Sequence, residues 1–167
     1  RARGRAADPA RLLPRLPVAA SGARLIFERM ASAATLPAFV QTVAQLRVDA
    51  TTLPRLAELA ATLYARSGDF TVLHLVTSAH AMRVLLPFME EPLPAVRAYW
   101  RAFAAGVAAT DLEPDELASP LPWERVVEFA LASEDEHVIK LVDSCREETA
   151  AYGGDAWQRA ASRLLRR

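Results

Sequence analysis

Apolar residues recur at every third or fourth position along most of this chain, which is the spacing of one face of an α-helix. One such stripe runs from Leu56 to Tyr64, and the Ser67-Gly68 pair is expected to end its helix. The same spacing predicts helices over residues 23–34, 35–46, 52–67, 69–86, 94–109, 122–132 and 134–152, and a short last helix after Asp155. The alternating pattern that is typical of strands is absent from the sequence. We therefore expect an all-α fold of seven to eight helices.

The ends of two of these helices carry recognisable capping residues. Asp69 is expected to cap the helix that contains two of the three histidines, and Pro87 to stop it. Ser133 and Glu136 have the spacing of a capping box at the start of the helix that contains the third histidine. Residues 1–21 lack a long helical period, so we interpret them as an irregular N-terminal arm or linker, and residues 22–167 as one helical domain.

Composition and charge exclude several classes of function. Twenty acidic residues balance twenty basic ones, which gives no electrostatic reason to expect a nucleic acid or an anionic membrane as a partner. The chain has no apolar run of the roughly 18 residues that a membrane-spanning helix needs. Its single cysteine, Cys145, excludes an internal disulfide and fits a reducing compartment, so the predicted location is the cytoplasm. Motifs typical of zinc proteases, dinucleotide-binding proteins and P-loop proteins are also absent.

His137 and Lys140 are three residues apart, so they share one face of the predicted helix. Glu136 lies four residues before Lys140, which favours an ordinary ion pair on the surface. However, Lys140 is the only lysine among twenty basic residues. Unlike arginine, lysine can lose its proton when it is buried, and it can then act as a base or form a carbamate. Both interpretations of Lys140 stay open.

His74 and His80 are six residues apart, which places them about 120° from each other around a regular helix. Both could face one site only if a π-bulge near Thr77-Ser78 distorted the helix. Otherwise one histidine would be a ligand and the other would support it, or one or both would be core histidines bonded to a carbonyl group. Arg83 shares the face of His80 and could hold an anionic ligand or form a salt bridge.

Two long segments resemble a known family: "GDFTVLHLVTSAHAMRVLLPF" and "EDEHVIKLVDSCREETAAYG" are similar to signature segments of the questin oxidase-like family. The resemblance covers about residues 22–165 and implies the C-terminal half of a larger helical enzyme. It implies an oxygenase that cleaves an aromatic polyketide or anthraquinone-like substrate with molecular oxygen. It also implies non-haem iron or another divalent metal, held by His74, His80, His137 and a carbamylated Lys140. Phe70, Trp100 and Trp123 are candidate walls of the substrate pocket, with core packing as the alternative for each.

Two other functions stay open beside the metal-dependent oxygenase. One is a truncated helical domain that serves binding or assembly without catalysis. The other is an NADPH-dependent monooxygenase of the Baeyer–Villiger type, although this sequence contains no nucleotide-binding motif. We expect the missing N-terminal half of the enzyme to be the partner of this chain. Without it, the chain is expected to bind iron weakly and to be inactive.

Overall fold

A computed structural model describes residue 6 and residues 8–18, 22–110, 112 and 116–166. These residues contain eight α-helices and no β-strand, so the predicted all-α fold is confirmed. The helices are α1 (Ile26–Ala34), α2 (Pro37–Val43), α3 (Thr52–Ser67), α4 (Phe70–Leu85), α5 (Pro92–Ala108), α6 (Trp123–Leu131), α7 (Glu136–Tyr152) and α8 (Ala156–Arg163). None of the described helices is long and apolar enough to span a membrane.

The chain divides into two compact units. Unit 1 comprises Arg1–Leu56 and Met82–Asp111, and unit 2 comprises Ala57–Ala81 and Leu112–Arg167. Helices α3 and α4 each contribute residues to both units. All three histidines and Lys140 belong to unit 2, whereas Arg83 belongs to unit 1. The four candidate metal ligands therefore lie in one unit.

The core of unit 1 forms around an aromatic residue of α5. Trp100 is buried, and its indole N–H donates a hydrogen bond to the carbonyl oxygen of Val43 at 3.0 Å. Phe103 stacks against Trp100 with ring centroids 6.4 Å apart. Core packing, the alternative role for Trp100, is thereby confirmed, because the indole polar atom is satisfied inside the protein.

Part of the N-terminal segment also packs in unit 1. It contains two short 3₁₀ helices, Pro9–Arg11 and Leu13–Arg15, and Leu12 between them is buried. The backbone N–H of Ala6 donates to the carbonyl of Gln45 at 2.9 Å. The N-terminal residues 1–5, 7 and 19–21 of the predicted arm lie outside the described residues, and the boundary at residue 22 stays a prediction.

The core of unit 2 forms on one face of α7 and one face of α8. Two side chains of α8 hold the loop before α6 in place: Gln158 donates to the carbonyl of Leu121 at 2.7 Å, and the Ser162 hydroxyl accepts from the Leu121 N–H at 2.8 Å. The buried face of α7 consists of Val138, Leu141, Val142, Ser144, Cys145 and Glu148. A glutamate is therefore buried in an otherwise mainly apolar stripe.

The helix ends that frame the histidines agree with the sequence in one case and differ in the other. The Asp69 carboxylate accepts the backbone N–H of Val72 at 3.0 Å, which confirms the predicted cap of α4. The capping box of Ser133 and Glu136 is wrong, because the Asp135 carboxylate caps α7 by accepting the N–H of His137 at 2.9 Å. The Ser133 hydroxyl instead accepts the N–H of Asp135 at 3.1 Å. Helix α7 therefore begins later than the pattern suggests.

Candidate functional site

Three rings of unit 2 lie together, and we call Phe70, His74 and His137 the aromatic cluster. The ring centroids of Phe70 and His74 are 4.6 Å apart, those of Phe70 and His137 are 5.0 Å apart, and those of His74 and His137 are 5.4 Å apart. All three pairs have the edge-to-face geometry that aromatic rings prefer. The cluster thus joins histidines that are 63 residues apart in sequence.

The local sequence explains why these rings meet. Phe70 is the first residue of α4, and His74 follows one turn later on the same face. His137 is the second residue of α7, where the Asp135 cap fixes the backbone. The ring of Phe70 is exposed, with 53% of its surface accessible, and the His137 side chain is 31% exposed. The cluster is therefore partly exposed to solvent.

Each histidine of the cluster has its Nδ1 atom bonded to an oxygen. His74 Nδ1 lies 2.8 Å from the carbonyl oxygen of Phe70, and His137 Nδ1 lies 2.9 Å from a carboxylate oxygen of Asp135. Because a carbonyl oxygen or an ionised carboxylate only accepts hydrogen bonds, Nδ1 must donate in both rings. In the neutral rings, Nε2 then carries the lone pair. This is the arrangement that orients metal-binding histidines.

His80 has a different partner. Its Nδ1 lies 2.8 Å from a carboxylate oxygen of Glu148, which is fully buried at 0% exposure. Helix α4 is regular from Phe70 to Leu85, so the π-bulge that would turn His74 and His80 to one side is not formed. The two histidines therefore point about 120° apart. The structure brings together His74 with His137, and His80 with Glu148.

Lys140 forms the surface ion pair that its spacing from Glu136 predicts. Its ammonium donates to the Glu136 carboxylate at 2.7 Å, and the two side chains are 61% and 68% exposed. Hydrogen bonding to Lys140 and its charge hold the pKa of Glu136 below the ordinary value of that carboxyl group. A carbamate requires a neutral amine, and burial is what usually favours that form. The exposed, paired Lys140 of this structure does not fit the role of a carbamate ligand.

The remaining sequence candidates lie in varied surroundings. Phe70 is not a core residue, because its exposed ring contacts the two histidines of the cluster. Trp123 is half-buried at the first position of α6. Arg83 is half-buried in the last turn of α4, and its role beside the site stays a prediction.

The donor atoms of the cluster fit part of a metal site but not the four-residue site that the resemblance implies. Two imidazole Nε2 atoms are ligands that iron and other transition metals accept. No group of three or more His, Cys, Asp and Glu side chains that could hold a metal ion occurs within the part of the chain that the structure describes. His80 is bonded to Glu148, and Lys140 to Glu136. The assignment of all four residues to one metal stays a prediction.

The thiol of Cys145 is expected to be unreactive. The thiol is fully buried in α7, and burial together with the charge of Glu148 raises its pKa far above the ordinary range. The protonated thiol is neither a good nucleophile nor a metal ligand. This agrees with the absence of a nucleophile motif around Cys145.

Two residues that orient the histidines were not predicted from the sequence. Asp135 was hidden by the capping pattern of Ser133 and Glu136. Glu148 lies 11 residues after His137, which puts it on the same face of α7 as His137 and Leu141. An acidic residue within an apolar stripe of this kind was the available signal that Glu148 is buried with a polar partner.

Comparison with known proteins gives one family. The family model described as questin oxidase-like matches residues 10–145, which is most of the chain and contains the complete aromatic cluster, His80 and Lys140. The match begins within the predicted arm and ends three residues before Glu148. Neither the curated proteins nor the solved structures give a significant match. On the extent of the family match, this chain belongs to the questin oxidase-like family.

Proposed function

We propose that this chain forms part of an oxygenase, and that the aromatic cluster binds a flat aromatic substrate such as an aromatic polyketide or an anthraquinone-like compound. The observation that carries the proposal is the contact of Phe70, His74 and His137 at centroid distances of 4.6–5.4 Å on a face that is partly exposed. Membership of the questin oxidase-like family supports an oxidation as the reaction.

The residues of the cluster suit such a ligand. The exposed Phe70 ring offers an apolar surface on which an aromatic ring can stack. Without a metal, the Nε2 atoms of His74 and His137 can accept hydrogen bonds from hydroxyl groups of the substrate, since Nδ1 is the donor in each ring. With a metal bound, the same lone pairs would hold the metal instead. These anchored rings would hold a hydroxylated aromatic compound in one orientation, which is the main contribution that a protein makes to positioning a substrate.

The proposed cofactor is non-haem iron or another divalent metal. His74 and His137 would supply two nitrogen ligands, which is the number of histidines in the common iron site of two histidines and one carboxylate. A bound iron would supply the electron chemistry that molecular oxygen requires. The third ligand would come from a group outside the aromatic cluster, because no three His, Cys, Asp and Glu side chains among the described residues are placed to hold one metal ion.

A second candidate is a helical domain that binds the same compounds without catalysis. The exposure of Lys140 and its ion pair with Glu136 favour this candidate over a complete four-residue metal site. An NADPH-dependent monooxygenase, which needs no metal, is the third possibility. One assay separates all three.

The test is oxygen consumption and product formation by the full-length protein with hydroxyanthraquinones, with and without ferrous iron and NADPH. His74→Gln and His137→Gln remove one cluster nitrogen each. Arg125→Gln is the matched control, because Arg125 is 70% exposed and makes only a 3.7 Å ion pair with Glu128. We expect turnover that depends on iron and falls at least about tenfold in either histidine variant.

Each other outcome assigns a different function. Turnover with NADPH and without iron would contradict the metal-dependent reaction and favour the monooxygenase. Binding of the compounds without turnover under any condition would favour the non-catalytic domain. Equal turnover in the two histidine variants and the Arg125→Gln control would show that the aromatic cluster is not the site.

A further inference from the structure

A buried carboxylate on α7 is not explained by the aromatic cluster. Glu148 is 0% exposed and lies among the buried residues Leu141, Val142 and Cys145 of the same helix. Burial of a charged group is costly unless the group is hydrogen-bonded or paired. A residue kept at this cost is a candidate for a specific role.

One partner of this carboxylate is His80 of α4. Glu148 Oε1 lies 2.8 Å from His80 Nδ1, which is the distance of a charge-assisted hydrogen bond. The carboxylate is fully buried, whereas 19% of the His80 side chain is exposed. Because Nδ1 is bonded to Glu148, Nε2 is the ring nitrogen that this contact leaves for another group.

We propose that Glu148 is a positioning residue that fixes His80 in the tautomer with the proton on Nδ1, so that Nε2 is a hydrogen-bond acceptor for a substrate hydroxyl group. An ionised carboxylate cannot donate to Nδ1, so this contact excludes the other neutral tautomer. The same contact prevents rotation of the ring. The assignment of the tautomer stands by itself, and the assignment of the hydroxyl group rests on the proposed function.

The alternative is that the bond only ties α4 to α7. A purely structural contact between the two helices needs a hydrogen bond, but either residue could be the donor. Glu148→Gln distinguishes the two roles, because the amide has nearly the same shape and can either accept from Nδ1 or donate to it. A purely structural hydrogen bond would still form in Glu148→Gln, whereas His80 would no longer be restricted to one tautomer.

The first measurement is the ¹⁵N–¹H correlation spectrum of the histidine side chains in the 167-residue chain, which reports which ring nitrogen carries the proton. In the wild type we expect the neutral His80 ring to be protonated at Nδ1. In Glu148→Gln we expect a substantial population protonated at Nε2. His74 is the internal control, because its Nδ1 donates to the Phe70 carbonyl in both proteins.

A wild-type His80 that carries its proton on Nε2 would overturn the proposal without any variant. The same is true of a Glu148→Gln protein in which His80 keeps the wild-type tautomer. The wild-type spectrum decides the first point even if the variant does not fold.

The second measurement addresses the hydroxyl group. In the full-length protein, Glu148→Gln should lower kcat/KM about tenfold for a hydroxylated aromatic substrate, as expected for loss of an orienting partner. It should change kcat/KM much less for the analogue in which that hydroxyl group is methylated. Equal losses for both compounds would contradict this role for His80. If the wild type turned over neither compound, the proposed function would fail, while the spectra would still decide the tautomer.

Discussion

Asp135 has two roles that can be separated by substitution. One carboxylate oxygen, Oδ1, accepts both the backbone N–H and the ring Nδ1–H of His137, each at 2.9 Å. The first bond caps α7, and the second fixes the tautomer of the ring. Asp135→Ala removes both bonds. Asp135→Asn keeps the cap, because asparagine caps helices about as well as aspartate, but it removes the negative charge beside the ring.

The expected magnitudes follow from these two contacts. Loss of the cap in Asp135→Ala should lower the free energy of unfolding by about 1 kcal/mol. For a chain of this length, that corresponds to a fall in Tm of roughly 2–4 °C. Asp135→Asn should lower the free energy of unfolding by only a few tenths of the loss expected for Asp135→Ala. Both variants should weaken binding of a divalent metal at His137 by about 10-fold to 100-fold, because each loses the carboxylate that orients the imidazole.

The assays are urea unfolding for stability and a Co²⁺ titration for metal affinity, both on the 167-residue chain. Glu134→Gln is the matched control, because it removes a charge one residue before Asp135 and Glu134 is exposed. It should change neither quantity by a comparable amount. The reasoning would be refuted if Asp135→Asn were as unstable as Asp135→Ala, or if metal affinity in both variants equalled that of the control.

Three further predictions concern other parts of the chain. Lys140→Arg should leave both the stability and the turnover of the full-length protein nearly unchanged, because arginine can keep the exposed ion pair with Glu136. Loss of turnover with a normal circular dichroism spectrum would instead support the role of Lys140 as a carbamate ligand. The free energy of unfolding should fall as the pH rises above about 8.5, by up to about 1.4 kcal/mol per pH unit, because the raised pKa of Cys145 keeps the folded thiol protonated while the unfolded thiol ionises. Urea unfolding at several pH values should show a smaller pH dependence of this free energy for Cys145→Ala. An equal pH dependence in both proteins would contradict the burial effect. Gly68→Ala should lower the free energy of unfolding by about 1 kcal/mol, because Gly68 has a φ of 60°, which is unfavourable for a residue with a Cβ atom. Gly22→Ala is the control, and it should leave the free energy of unfolding nearly unchanged in the same urea assay, because the space at its Cβ position is open.

Local signals in the sequence predicted most of the helices. Ser67-Gly68 ended α3 as expected, since the positive φ at Gly68 favours glycine, and Asp69 capped α4. The cap of α7 was misplaced because Ser133 and Asp135 both offer an oxygen at a suitable spacing. The choice between them depends on the path of the loop, which the sequence pattern does not contain.

The site was harder to predict than the fold because it depends on how α4 packs against α7. Spacing along α7 correctly paired Glu136 with Lys140, since that contact is local. The regular geometry of α4 already implied that His74 and His80 differ in direction. Which of them meets His137 is a long-range property, and so is the burial of Glu148 against His80. The sequence left Phe70 as either a pocket wall or a core residue, and its exposure depends on helix packing that the local pattern does not contain.

The central claim is that His74 and His137 form one metal-binding site that excludes His80. The most direct measurement is the loss of histidine ring signals in the NMR spectrum of the 167-residue chain as paramagnetic Co²⁺ is added below one equivalent. We predict that the signals of His74 and His137 broaden together and first, while the signals of His80, whose Nδ1 is bonded to Glu148, persist. Broadening of His80 before the other two, or of His137 without His74, would contradict the claim.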